Sequence, residues 1–349
     1  MFALKRRLPA LAIALAPLFV ACSDSLSPDS VDPQALEQRM SDITSAFNNA
    51  SFQSVGALSD LFPQFAGVAA LRAGTPIDPR LKGPRLTAQI QRRLESARLY
   101  ASLRNTQALF PANVLGKTLE WDANGHQWVI GNQNGAPASG VRILLYNVDQ
   151  TTFEPIVAQQ LGYLELTDES SPQADRLGVL ITLGNSTVAD YVISMVNTTS
   201  SLSSTAEGSM SSISGSEQVD FDFTETVTNT AITAVADLVG SQGGHVVVQV
   251  QGTASSATLS IAVGQQRNNL SMNVSLDDTS NDVVGEVKYN GTVVATIDGT
   301  IDDPTFTARS GRTLSQNEVL ALGSIFLKAV IVVADVGLAV FAPGVIVFN

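Results

Sequence analysis

The sequence predicts an α+β protein: N-terminal helices, then a long curved antiparallel β meander of about a dozen strands packed on a C-terminal apolar helix. Three observations carry this expectation. Hydrophobic spacing changes near Thr118 from a period of about 3.6 to a period of about 2. The strand-like runs beyond that point are joined by short turns with no helix-length gap, which implies antiparallel neighbours rather than βαβ units. Val319 to Val340 is almost wholly apolar and starts behind Ser315-Gln316-Asn317-Glu318, a capping box.

The helical part comes first. Asp32 before Pro33 is an N-cap and first-turn pair, so Pro33 to about Asn49 reads as helix. Ser51 to Leu71 is helix-compatible but broken at Pro63, and the Pro- and Gly-rich stretch Ala73 to Pro84 is a loop. From Arg85 to about Thr106, Leu86, Ile90, Leu94, Ala97 and Ala101 mark one apolar stripe, widened by Leu99 and Leu103. Arg92, Arg93, Arg98 and Arg104 decorate the rest. That basic face suits either anionic lipid headgroups or a solvated surface resting on the acidic domain that follows.

In the β part, Trp121 to Gly131 reads as a hairpin with Asn124-Gly125 in its turn. Val141 to Val148, Leu177 to Leu183 and Thr187 to Asn197 are strand-like. Between Thr198 and Ser216, 12 of 19 residues are Ser or Thr, a stretch that fits a loop as well as a solvated strand or bulged edge. Val219, Phe221, Phe223 and Val227 alternate with Asp220, Asp222, Thr224 and Thr226. Similar alternation runs through Ala257 to Val263 and Leu270 to Leu276, and Asn290-Gly291 joins one more hairpin between Val283 and Ile301. No repeat of fixed length stands out.

The C-terminal apolar run is long enough to cross a bilayer as a helix, about 33 Å for 22 residues. Lys328 and Asp335 argue against that, each costing roughly 2.5–3.5 kcal/mol at bilayer depth, and a wide aliphatic sheet face needs cover. A core helix is therefore expected. Lys328 and Asp335 share its stripe, two turns apart and too distant to pair. They are candidate polar residues at the mouth of a ligand site, or simply the part of the stripe that faces out.

Composition narrows function. The 349 residues are 44% hydrophobic and 15% charged, ample for a core. Net charge is −12, divided as +5 over residues 1–117 and −17 over 118–349. A body this acidic speaks against nucleic-acid binding, which depends on neutralising phosphates. The single cysteine precludes an internal disulfide and a Cys-based metal cluster, and His126 and His245 are the only histidines. There is no Gly-x-Ser-x-Gly, P-loop, His-Glu-x-x-His or dinucleotide fingerprint. Asp220 and Asp222 share a face, as strand alternation routinely arranges. The acidic turns Asp277 to Asp282 and Asp298 to Asp303 lack EF-hand spacing. Six Asn-x-Ser/Thr sequons are attributable to an Asn-, Ser- and Thr-rich composition. No enzyme, cofactor or metal is expected.

The first thirty residues point to an address. Lys5, Arg6 and Arg7 precede an apolar run of 13 residues, Leu8 to Val20, which is short for a span and right for a secretory signal. It ends in Phe19-Val20-Ala21-Cys22, which resembles the lipobox of bacterial lipoprotein precursors. That resemblance covers residues 1–22 alone, and the mature body resembles no family. It implies that Cys22 is diacylglycerated, becomes residue one after cleavage and is held by two or three acyl chains, a stable anchor. Ser23 after the cysteine favours the outer membrane under the family's enterobacterial sorting rule. The expected organisation is a signal peptide (1–21), an acylated tether (22–32), a helical segment (33–117) and a β-rich domain with its C-terminal helix (118–349).

The function expected from these parts is a non-enzymatic, lipid-anchored envelope protein facing the periplasm or cell surface. Its expected partners are membrane lipid through Cys22 and a hydrophobic small molecule held between curved sheet and helices. In architecture alone that is similar to half-barrel carriers of lipids and lipoproteins. One alternative is a structural or adhesive lipoprotein with a filled core. Another is an outer-membrane β-barrel, disfavoured by the lipobox and by an aromatic content of 6%.

Overall fold

Thirteen consecutive strands, each hydrogen-bonded to the next, form an unbroken up-and-down meander. The computed structural model describes residues 33–45, 109–149, 151–152, 154–198, 200–211, 218–253, 256–265, 268–277, 282–300, 303–309 and 313–331, with 340, 341, 343, 344 and 347 near the C-terminus. The signal peptide, Cys22 and its tether, the helices expected over residues 51–71 and 85–106, and Asp335 lie outside the described residues.

Among the described residues the first element is the helix α1 (Pro33–Ser45), and the next are the short hairpin strands β1 (Lys117–Asp122) and β2 (Gln127–Ile130). The meander comprises β3 (Gly140–Val148), β4 (Pro155–Asp168), β5 (Asp175–Leu183), β6 (Ser186–Asn197), β7 (Ser201–Ser211), β8 (Gln218–Thr228) and β9 (Ala231–Gly240). It continues through β10 (Gly244–Thr253), β11 (Ser256–Gln265), β12 (Asn268–Asp277), β13 (Val283–Tyr289), β14 (Thr292–Gly299) and β15 (Pro304–Ala308). The helix α2 (Gln316–Ile331) follows. The structure thus bears out a β-rich fold with a C-terminal helix, with fifteen strands in one sheet rather than about a dozen.

One pairing departs from a pure meander. The sheet ends β3-β1-β2, so β1 lies between its hairpin partner and β3 and runs parallel to β3. The nine-residue connection from Gly131 to Ser139 carries the chain back past β1, and Arg142 pins it by donating from Nη1 to the Asn134 carbonyl at 3.3 Å. Both edges are blunted: β2 has four residues and β15 opens on Pro304, which has no N–H to offer.

The Ser/Thr-rich stretch is an interior strand. β7 pairs along eleven positions with β8 and is flanked by β6 on its other side. Its alternation is legible once small residues count as inward ones: Leu202, Ser204, Ala206 and Met210 are all buried. The hairpin at Asn290-Gly291 forms as expected, with φ of 47° and 84° at the two turn residues. At the first hairpin the left-handed residue is instead His126 (φ 48°), and Asp122 Oδ1 accepts from the Asn124 N–H at 3.0 Å.

Alternation divides the sheet into an apolar inner face and a polar outer one. Inner residues line up across the sheet; one row runs Leu166, Val179, Tyr191, Gly208, Phe221, Leu238, Val246, Val263, Leu270, Tyr289. Both helices lie on this face. In α1, Leu36, Met40 and Ile43 are buried, and Ile43 abuts Gly244 beside Val246. In α2, Leu322, Ile325, Phe326 and Ala329 are buried, and Gly323 sits near the Phe306 ring. The two helices pack on each other.

The capping box forms, with Glu318 N–H donating to Ser315 Oγ at 3.2 Å and Ser315 N–H donating to Glu318 Oε2 at 2.8 Å. The C-terminal helix is not buried all round, because Leu320 and Leu327, one heptad apart, are exposed. No helix among the described residues is long and apolar enough to cross a membrane.

Candidate functional site

The outer face of β6–β9 carries the densest set of unusual residues. Strand alternation places Asp190, Ser209, Asp220 and Val239 in one row across four strands. The next row is Val192, Glu207, Asp222 and Asp237. Together with Gly208 and Phe221, these residues, Val192 excepted, line a shallow, open concavity of about 470 Å³. Five of its side chains are carboxylates, and Glu207, Asp222 and Asp237 are directly opposite one another. Like charges in that relation are destabilising.

Local hydrogen bonds orient some of them. Thr224 Oγ1 donates to Asp222 Oδ1 at 3.1 Å, and Gln218 Nε2 donates to Asp220 Oδ1 at 3.4 Å. His245, diagonal to Asp237, places Nε2 2.8 Å from Asp237 Oδ1. Between Arg176 and Arg267 the chain contains seven acidic residues and neither lysine nor arginine. That gap was the available sequence signal for this patch. Reading Asp220 and Asp222 as an isolated pair missed it, because only the register brings in Asp190, Glu207 and Asp237.

Among the described residues, no three His, Cys, Asp or Glu side chains converge so as to hold a metal ion. The patch is thus a field of negative charge on a rigid sheet, suited to attracting cations or basic surfaces. His126 is likewise a surface residue, its Nδ1 2.7 Å from Glu154 Oε1.

Lys328 lies in a different setting. Its ammonium donates to Glu37 of α1 and to Ser41, while Ser324 Oγ donates to Glu37 Oε1 at 3.0 Å. These contacts lock the two helices in register. The hydrogen bond from Lys328 holds the Glu37 carboxyl below its ordinary range, with partial burial opposing and Ser324 assisting. Asp335, the other candidate mouth residue, is outside the described residues.

Two further polar sets escaped the sequence reading. Arg142 binds Glu165 through Nε at 2.9 Å and through Nη2, and its guanidinium stacks 4.2 Å from the Tyr163 ring centre. On the inner face, Asp175, Met195, Ser204 and Glu225 form one row across β5–β8. Asp175 and Glu225 are only 4% and 5% exposed. Tyr191, fully buried nearby, donates from its hydroxyl to the Val340 carbonyl at 3.1 Å, and burial pushes its phenol well up.

No family model matches the chain, and neither a curated protein nor a solved structure matches it.

Proposed function

We propose that this is a non-enzymatic cell-envelope lipoprotein, anchored through acylated Cys22, with its inner sheet face filled and its acidic outer face turned to partners. One observation carries the reading. The apolar face is spent on packing, whereas the polar face holds five carboxylates in register at a cost to stability. Departures from local stability rules of this sort mark functional surfaces. In this reading α1, packed on α2 and on β9–β11, serves as part of the cover of the inner face.

The structural or adhesive reading therefore gains over the hydrophobic-ligand reading. Met40, Ile43, Ile325 and Phe326, each at most 1% exposed, occupy the space between sheet and helices where a ligand would sit. A membrane barrel is supported less, since a barrel turns its apolar residues outward to lipid, and here the outward rows are Asp, Ser and Thr.

Two experiments test this. Labelled palmitate should enter the wild-type chain and not Cys22→Ala; incorporation into the variant would refute the anchor. Native mass spectrometry of protein from its own membranes should show no apolar ligand beyond the acyl chains. A stoichiometric bound lipid would restore the carrier reading.

A further inference from the structure

Two leucines of α2 face water. Leu320 is 63% and Leu327 49% exposed, the only exposed leucines among the described residues. They lie one heptad apart, on one stripe of the helix about 10 Å long. Among the side chains described on α1 and α2, every exposed one is neutral, the others being glutamine, asparagine and alanine. The charged residues of both helices are paired: Lys328 with Glu37, Arg39 with Asp42 at 3.8 Å, and Glu318 within its capping box. A surface of this composition loses little on leaving water.

The contacts between the helices fix where this surface sits. Ser324 and Lys328, one turn apart on α2, meet Glu37 and Ser41, one turn apart on α1. Contacts that advance together in this way mean that the two helices run in the same direction where they meet. One turn earlier on each stand Pro33, where α1 begins, and Leu320. The exposed leucines thus begin beside the start of α1, and Cys22 precedes that start by eleven residues. Eleven residues reach at most about 40 Å, and α2 is about 24 Å long. A bilayer holding the acyl chains of Cys22 is therefore within reach of all of α2. At that tether length the effective concentration is about millimolar, so two leucines can keep a contact that an untethered protein would lose.

Charge sets which way the domain faces. The helices cover the inner face of the sheet, whereas the five carboxylates of the patch stand on the outer face. An anionic membrane surface repels the second and not the first.

We propose that α2 lies on the bilayer to which Cys22 is anchored, with Leu320 and Leu327 entering the boundary between headgroups and acyl chains and the acidic face directed away. The inference rests on the anchor reading and adds to it the surface by which the folded domain meets lipid.

The test uses the full chain, purified from its own membranes and reconstituted in phosphatidylcholine vesicles whose acyl chains carry a nitroxide quencher. A fluorescent thiol dye is attached in Leu320→Cys, in Leu327→Cys and, on the outer face, in Thr258→Cys. All three residues are exposed, so the substitutions leave the core intact. Quenching at positions 320 and 327 should exceed that at 258 about threefold or more, as side chains within the lipid boundary require. Equal quenching at the three positions overturns the inference and leaves the anchor standing. A dye signal at 320 or 327 that follows protein concentration instead of lipid also overturns it, because a second copy is then the occupant. The wild-type chain, whose single cysteine is Cys22, should take up no dye. Uptake there refutes the anchor, and the inference falls with it.

Discussion

Across strands β6–β9 the inner face reads Tyr191, Gly208, Phe221, Leu238, while one residue along each strand the outer face reads Asp190, Ser209, Asp220, Val239. The same backbone and the same hydrogen bonds support both rows. On the inner side, neighbours gain from excluding water and from close packing. On the outer side, neighbours of like charge gain nothing from their proximity. The inner face therefore explains why the sheet exists, and the outer face is free to be shaped by whatever the protein meets.

Paired truncations test that contrast most sharply. Ile261→Ala, an inner change at a residue 1% exposed, should cost about 2–5 kcal/mol in denaturant unfolding. Thr258→Ala, an outer exposed change on the same strand, should stay within about 0.5 kcal/mol. Comparable losses would mean that the outer face is also packed.

A smaller effect is expected at a glycine where β6 and β7 meet closely. A Cβ on Gly208 would lie 2.3 Å from the Asp190 carbonyl oxygen and 2.4 Å from Tyr191 Cβ. Gly208→Ala should lower stability by roughly 1–3 kcal/mol through overpacking. An unchanged melting curve would show that β6 and β7 can separate cheaply.

The helix pair comes next. A depressed carboxylate contributes its full stabilisation above the ordinary pKa of 4.5 and loses it as pH falls through the lowered folded value. Lys328→Met should therefore cost about 0.2–1 kcal/mol near neutrality, with the difference from wild type shrinking in acid below about pH 4.5. A difference constant down to pH 2 would assign the loss to packing rather than to charge.

The smallest effect should have the opposite sign. Asp222→Asn relieves the Glu207–Asp222–Asp237 opposition and should stabilise by about 0.2–1 kcal/mol. The gain should fade with added salt as screening takes over. Destabilisation at low salt would show that the patch is neutralised in the free protein.

Much of this architecture was legible in the residues. Apolar runs located β3 and β5, and alternation of apolar with polar or small residues located β8, β11, β12 and the Asn290-Gly291 hairpin, with β6 found as a further strand-like run. β7 was ambiguous because its inward residues include Ser204 and Ala206, too small to signal burial by themselves. The hairpin turns hid a recurring device. Thr198, Thr228 and Thr253 each accept the N–H of the residue three positions on through Oγ1, at 3.0–3.1 Å, and donate to that residue's carbonyl. Thr300 accepts from the Asp303 N–H at 3.2 Å in the same way. The threonines recur at the β6–β7, β8–β9, β10–β11 and β14–β15 turns at unequal spacing, so a search for fixed-length repeats passes over them.

By itself the sequence determined the β-rich class, the antiparallel connectivity and the amphipathic split of the sheet, because periodicity and turn length are local properties. The start of the C-terminal helix follows from its capping box for the same reason. Only the tertiary structure decided which carboxylates share a patch, since Asp190 and Asp237 are neighbours through register and not through sequence distance. It likewise decided that Lys328 meets Glu37, and that β1 slips between β2 and β3. Each of these depends on contacts between distant parts of the chain, whose partners are chosen by packing of the whole.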